Sequence, residues 1–216
     1  MKKGYRRLSA KESLTIVNYF PVLSKVTLFL KENIIGKYIY IMTDESCITL
    51  TFSESNFMHL CGLDYKGGSN KFFNACLNEK LEINNIKVKT DGTSFQKLRV
   101  INQIEDIFKM PSQIASSGTF LNLRFDSAIR TKKQIAAITL LNDRTTYVPQ
   151  SLLNLKNMKK FPSSKNVICI YAEDMDDKNI NILFIDREWS IQEEKECVKP
   201  PKIDKKNKMI HIIETI

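Results

Sequence analysis

Histidine is nearly missing from this sequence: His59 and His211 are its whole supply in 216 residues. Imidazole chemistry near neutral pH is therefore confined to two positions. Cysteine is sparse and scattered. Cys47, Cys61, Cys76, Cys169 and Cys197 are odd in number and form no CxxC pair, which argues against a disulfide framework and against a zinc site. No apolar run approaches the ~18–20 residues that a membrane-crossing helix needs; Ile135 to Leu141 has the length of a strand. The phosphate-cradling and metalloprotease patterns G-x-x-x-x-G-K-[ST], G-x-G-x-x-G and H-E-x-x-H are absent, as is the nucleophile elbow G-x-S-x-G. Carboxylate pairs such as Asp176-Asp177 fall in a solvated loop, so no metal-ligand set and no cofactor is expected.

Acidic residues are also in deficit. Thirty-three Lys and Arg against 24 Asp and Glu leave a net charge of +9, with a pI near 9.2. That excess suits an anionic partner such as nucleic acid, or it simply keeps a lysine-rich chain soluble. The first residues, Met1-Lys2-Lys3-Gly4-Tyr5-Arg6-Arg7, are basic, but Leu8-Ser9-Ala10-Lys11-Glu12 follows in place of an apolar core. The expectation is a cytoplasmic protein without a membrane partner.

Ser9 and Glu12 have capping-box spacing ahead of Leu14, Val17, Phe20, Leu23, Val26 and Leu30. Pro21 predicts a kink or a break between two helices, and Gly36 closes the region. From Lys37 to Phe52 the period drops to two around Asp44-Glu45-Ser46, a β-hairpin. Ser53 caps a short helix ending at Gly62, and a second short helix carries Phe72, Phe73, Cys76 and Leu77. Ser94 opens a single helix with Phe95, Leu98, Ile101, Ile104 and Phe108 inward, ended before Pro111. Beyond Gly118 the pattern is mainly β, with a short helix starting at Ser151 after Pro149 and an acidic loop, Glu173 to Asp177, between the last strands. Helices first and strands later predict an α+β fold: N-terminal helices packed on a small, mainly antiparallel β-sheet. The expected organisation is a helical segment over 1–36, an α+β domain over 37–189 and a charged tail over 190–216.

Chemistry has four candidate places. His59 stands about 100° from Leu60, at the edge of a helix face buried through Phe57, Leu60 and Cys61. Cys61 lies about 200° from His59, which removes a thiol–imidazole pair. Arg124, Arg130, Thr131, Lys132 and Lys133 form a basic cluster, whose last four residues a turn between strands presents together. Lys97 borders the Phe95–Leu98 stripe and points either into a cleft or into water. Tyr147 and Ser151 flank the junction of a strand end with a helix N-terminus, where an anion can bind and where Ser151 also suits an N-cap.

The run Leu50-Thr51-Phe52 followed by Asn56-Phe57-Met58-His59-Leu60-Cys61-Gly62-Leu63 resembles a signature of the phage and mobile-element nucleases grouped with barnase, EndoU, colicin E5/D and RelE. The fourth of those phage-type subfamilies fits best. Phe72-Phe73, Cys76, Phe95-Gln96-Lys97-Leu98, Ile129-Arg130-Thr131 and Tyr147 to Leu153 follow in a similar order, and the likeness spans roughly Lys37 to Asp186. The resemblance implies an EndoU-like fold and a metal-independent endoribonuclease of toxin or conflict type, with RNA held against the sheet. In that wider class a 2′-OH attacks the adjacent phosphate. Carried over, His59 is the acid or base, Lys97 or Arg130 stabilises the phosphorane, and Thr131, Tyr147 or Ser151 supplies hydroxyl contacts. A cognate inhibitor or antitoxin is the further partner implied. The departure is the second histidine, which is available only if His211 folds back; otherwise a lysine or tyrosine takes that role. The alternative is a mobile-element accessory or antitoxin-like protein that grips nucleic acid without cutting it.

Overall fold

The computed structural model describes residues 4–120, 122–156 and 161–186. The tail expected over 190–216, with His211, lies outside the described residues.

The chain opens with a short strand, β1 (Tyr5–Arg7), and Ser9 then caps α1 (Ala10–Val17). The capping box forms as its spacing predicts: Glu12 N–H donates to Ser9 Oγ, and Ser9 N–H donates to the Glu12 carboxylate. The Arg6 guanidinium grips that carboxylate through two bonds of 2.7 Å and, ahead of the cap itself, draws its pKa down to about 2. Helix α2 (Phe20–Asn33) starts anew with Pro21 in its first turn, where no N–H is needed, and its axis bends 47° from that of α1. Among the described residues no single helix is long and apolar enough to cross a membrane.

The expected hairpin follows as β2 (Lys37–Met42) and β3 (Cys47–Thr51), then α3 (Glu54–Cys61), β4 (Leu63–Tyr65) and α4 (Gly68–Leu77). After a 3-10 turn come β5 (Ile86–Lys89), α5 (Thr93–Leu98) and α6 (Gln103–Lys109). The single helix expected from Ser94 to Phe108 is thus two. Val100, Ile101 and Ile104 are all fully buried. Bonds of the i→i+3 kind, Val100 N–H to the Lys97 carbonyl and Ile101 N–H to the Leu98 carbonyl, tighten the backbone between the helices and bring these residues inward.

The second half is β6 (Ser112–Ala115), β7 (Gly118–Phe120), β8 (Leu123–Phe125), β9 (Ser127–Thr131), β10 (Ala136–Asp143), β11 (Thr146–Asn154), β12 (Ser164–Asn166), β13 (Cys169–Asp174) and β14 (Ile180–Ile185). Nine strands join one sheet in the order β12-β6-β9-β10-β11-β3-β2-β13-β14. Every pair in it is antiparallel except β11 and β3, which run parallel with Tyr147 beside Leu50. The fold is α+β. Strands β1, β5 and β4 form a separate small sheet that sequence alone does not announce; runs of three or four residues are too short to show a period of two.

The helices cover one face of the large sheet. Ile39, Leu50, Ile129, Ile138, Leu140 and Leu152 meet Leu23, Leu30, Phe57, Phe72, Leu98 and Phe108 there in one continuous core. On the outer face the hairpin β7–β8 lies over small side chains, with Phe120 and Phe125 against Ala115, Ala128 and Ala137.

Candidate functional site

The site is built where α3 ends, α5 begins and β11 passes. Helix α3 terminates because Gly62 takes a left-handed conformation, with φ of 68°. Helix α5 is fastened to that terminus by Ser94, a fully buried residue. Its hydroxyl donates to the Gly62 carbonyl at 2.6 Å and accepts from the Lys89 N–H of β5 at 2.9 Å. One turn on from Ser94, Lys97 falls on the same side of α5. Its stem lies against Gly62, where an added Cβ would stand 2.9 Å from Lys97 Cδ.

Of the two places open to Lys97, a cleft or water, the structure takes the first and buries it, with 7% of its surface exposed. Its ammonium donates to Ser151 Oγ at 2.9 Å and to the His59 carbonyl at 3.3 Å. No carboxylate pairs with it among the described residues. Burial, and next the nearby Lys89, push its pKa down to about 8. A desolvated ammonium with neutral partners is poised to bind an anion, and with that pKa it can also release a proton close to neutral pH.

Ser151 is not a helix cap. Strand β11 continues through Pro149 to Asn154, so the helix expected at Ser151 does not form. Proline is tolerated there because Pro149 borders a bulge: Leu140 of β10 faces Pro149 whereas the preceding Thr139 faces Ser151, leaving Gln150 over. Thr139, fully buried, donates its hydroxyl to the Ser151 carbonyl at 3.3 Å.

His59 is exposed on the last turn of α3, while Met58 beside it is turned inward. It is the His59 carbonyl, not the ring, that receives Lys97. Cys61 is completely buried, and its thiol is pushed well above the usual range by that burial.

The remaining predicted residues lie elsewhere. Arg130 and Thr131 belong to strand β9 and are both buried, not displayed by a turn. Successive strand residues face opposite ways, so the two side chains do not present a joint surface. Thr131 Oγ1 turns to its own turn, accepting from the N–H groups of Ile135 and Ala136. Tyr147 is half-buried four residues before Ser151, roughly 13 Å along β11 at strand rise. The structure therefore joins Lys97, Ser151 and the His59 backbone, and leaves Arg130, Thr131 and Tyr147 apart. Ser94, Thr139 and the seat at Gly62 escaped the sequence reading. Thr139 alone left a trace, as the one hydroxyl within the apolar run from Ile135 to Leu141.

Among the described residues no three His, Cys, Asp or Glu side chains gather as metal ligands do. The sequence profile of the family described as phage-Barnase-EndoU-ColicinE5/D-RelE like nuclease4 matches residues 23–188, well over half of the chain. The chain belongs to that family. It is a nuclease of the barnase–EndoU–colicin–RelE type, and the α+β fold accords with that assignment. No curated protein and no solved structure matches this nuclease. Its substrate is nucleic acid, and a buried lysine without a carboxylate partner is the feature of the nuclease most suited to a phosphodiester.

Proposed function

We propose that the protein is a metal-independent endoribonuclease, a toxin or conflict effector of a phage or mobile element, whose cleavage centre is the Lys97–Ser151 pair beside His59. The observation that carries this reading is the Lys97 ammonium, buried with no carboxylate paired to it among the described residues and 2.9 Å from Ser151 Oγ. Cleavage by an internal nucleophile needs a base for the 2′-hydroxyl, an acid for the departing 5′-oxygen and a cation for the phosphorane. Side chains of this chain suffice for all three. His59, whose backbone carbonyl receives the Lys97 ammonium and whose side chain is exposed on α3, takes the 2′-hydroxyl proton as the O2′–P bond forms. Lys97 stabilises the phosphorane and, with a pKa of about 8, gives a proton to the 5′-oxygen as the P–O5′ bond breaks. The products are a 2′,3′-cyclic phosphate and a 5′-hydroxyl.

Ser151 directs the ammonium and contacts a phosphate oxygen, and Thr139 holds the backbone of Ser151. Tyr147, roughly 13 Å away along β11, lies outside this centre. A lysine thereby fills the place of the second histidine. A cognate inhibitor would have to cover Lys97 and His59 to protect the host cell, which is taken to be the compartment of action. The test is cleavage of labelled RNA in EDTA with analysis of the new 3′ end. A cyclic phosphate supports the proposal. Salt-sensitive binding without turnover would favour a nucleic-acid-binding accessory protein instead.

A further inference from the structure

A second buried cation stands at the far end of the outer sheet face. Arg130 leaves β9 on the side of Ala128, and Thr139 leaves β10 on the side of Ala137. Ile129 and Ile138, which alternate with them, enter the helix-side core. Arg130, Thr139 and Ser151 therefore share the outer face.

The Arg130 side chain runs away from Ser151, toward β12. Its Nε donates to Ser164 Oγ at 3.0 Å, Ser164 donates to Gln113 Oε1 at 3.3 Å, and Gln113 donates to Asn166 at 2.7 Å. Nη1 donates to the carbonyls of Thr131 and Lys132. All of its acceptors are neutral, and no carboxylate pairs with this guanidinium among the described residues. Nη2 has no hydrogen-bond partner among the described residues and opens to solvent. Only 7% of the residue is exposed. The result is a rigid, largely desolvated fork with one edge free, and the exposed Lys132 and Lys133 follow it directly.

Strand order fixes how far this fork is from the cleavage centre. Ser164 on β12 stands four strands from Ser151 on β11. At about 4.8 Å per strand that separation is roughly 19 Å, and each cation lies about 3 Å from its serine, so the guanidinium and the Lys97 ammonium stand well over 10 Å apart. One phosphate cannot touch both.

We propose that Arg130, with Lys132 and Lys133, forms a second phosphate subsite that grips the backbone of a nucleotide flanking the scissile bond. This rests on the reading of Lys97 and Ser151 as the cleavage centre, and it predicts that the substrate passes from β11 to Arg130 over the β7–β8 hairpin, which covers Ala128 and Ala137 between them. It also moves Arg130 from phosphorane stabilisation to substrate grip.

The test compares a dinucleotide with a ten-nucleotide RNA. Arg130→Gln should lower the ratio of kcat/KM for the ten-mer to that for the dinucleotide by about 10-fold or more, through KM. Arg130→Lys should restore it only in part, because an ammonium lacks the fork. Binding of a 2′-deoxy ten-mer, which has no 2′-hydroxyl to attack with, tests the subsite without turnover. The slope of log Kd against log salt should fall by about 0.7 in Arg130→Gln, and by about twice that in the exposed double variant Lys132→Gln/Lys133→Gln. An equal loss on both substrates would put Arg130 at the scissile phosphate and overturn the proposal. An unchanged ratio with unchanged slopes in both variants would reduce Arg130 to a brace for its turn. If the wild type fails to cut RNA while the slopes still fall, the cleavage reading is lost and the subsite stands.

Discussion

Lys97 Nζ lies 2.9 Å from Ser151 Oγ, joining a helix that starts at the end of α3 to the middle of a strand 54 residues later in the chain. Among the described residues no carboxylate pairs with that ammonium, and burial outweighs the attraction of the more distant Asp91, so it is held in its place at the expense of stability.

Replacing Lys97 by Met should abolish activity and strengthen the fold. The lysine pKa falls from 10.5 to about 8 in the folded protein. Between those values the unfolded chain binds more protons, so stability rises with pH across that window, and below about 8 the penalty is complete. A shift of this size corresponds to ~3 kcal/mol, from which the two lost hydrogen bonds subtract. Urea midpoints of Lys97→Met and wild type should therefore differ at pH 7 in favour of the variant, and the gap should shrink by pH 10.5. A less stable variant at pH 7 would show that the buried charge is not penalised.

Gly62→Ala should disturb the site as well as the helix end. The left-handed φ of 68° costs a residue with a Cβ ~1 kcal/mol. The new methyl would also stand 2.9 Å from Lys97 Cδ and 3.3 Å from Ser94 Cα. The lysine stem can yield but the α5 backbone cannot, so kcat should drop by more than the stability loss explains. Urea unfolding and steady-state kinetics on the same preparation check this.

The residues at these two positions differ in how legible they were. Gly62 was readable as a terminator because a helix end is a local event, as were the capping box of Ser9 and Glu12 and the hairpin from Lys37 to Thr51. Its second role, as the seat for Lys97, depends on a helix more than thirty residues away and leaves no local pattern. Lys97 carries no mark of burial: a lysine beside an apolar stripe is ordinarily solvated. Arg130 and Thr131 read as a turn because charge and hydroxyl favour turns, yet β9 is covered on both faces, by the helices and by the β7–β8 hairpin. Pro149 read as a strand end, and only the pairing of β10 with β11 reveals the bulge that lets the strand continue.

Ser94→Ala should destabilise the protein by about 1–3 kcal/mol, since it strips partners from the Gly62 carbonyl and the Lys89 N–H at a buried position. Calorimetry or urea unfolding measures it. Because α5 loses its tie to α3, the rate should fall as well, and a variant with wild-type activity and stability would contradict the role given to this hydroxyl.

Thr139→Val tests the support beneath Ser151. The shape is nearly kept and one hydrogen bond, from Oγ1 to the Ser151 carbonyl, is lost. Stability should fall by ~1 kcal/mol. Turnover should fall a few-fold with KM little changed, because Ser151 is loosened but not removed.

The most direct measurement is cleavage of a 5′-labelled RNA in excess EDTA by wild type, Lys97→Met and His59→Ala, each verified as folded by circular dichroism. The account predicts that wild type cuts and leaves a 2′,3′-cyclic phosphate. Its rate should decline as pH rises through about 8, the value at which Lys97 gives up its proton, and each variant should lose at least about 100-fold, the lower range for a general acid or base. Cleavage that requires an added divalent metal, or wild-type rates from Lys97→Met, would contradict it.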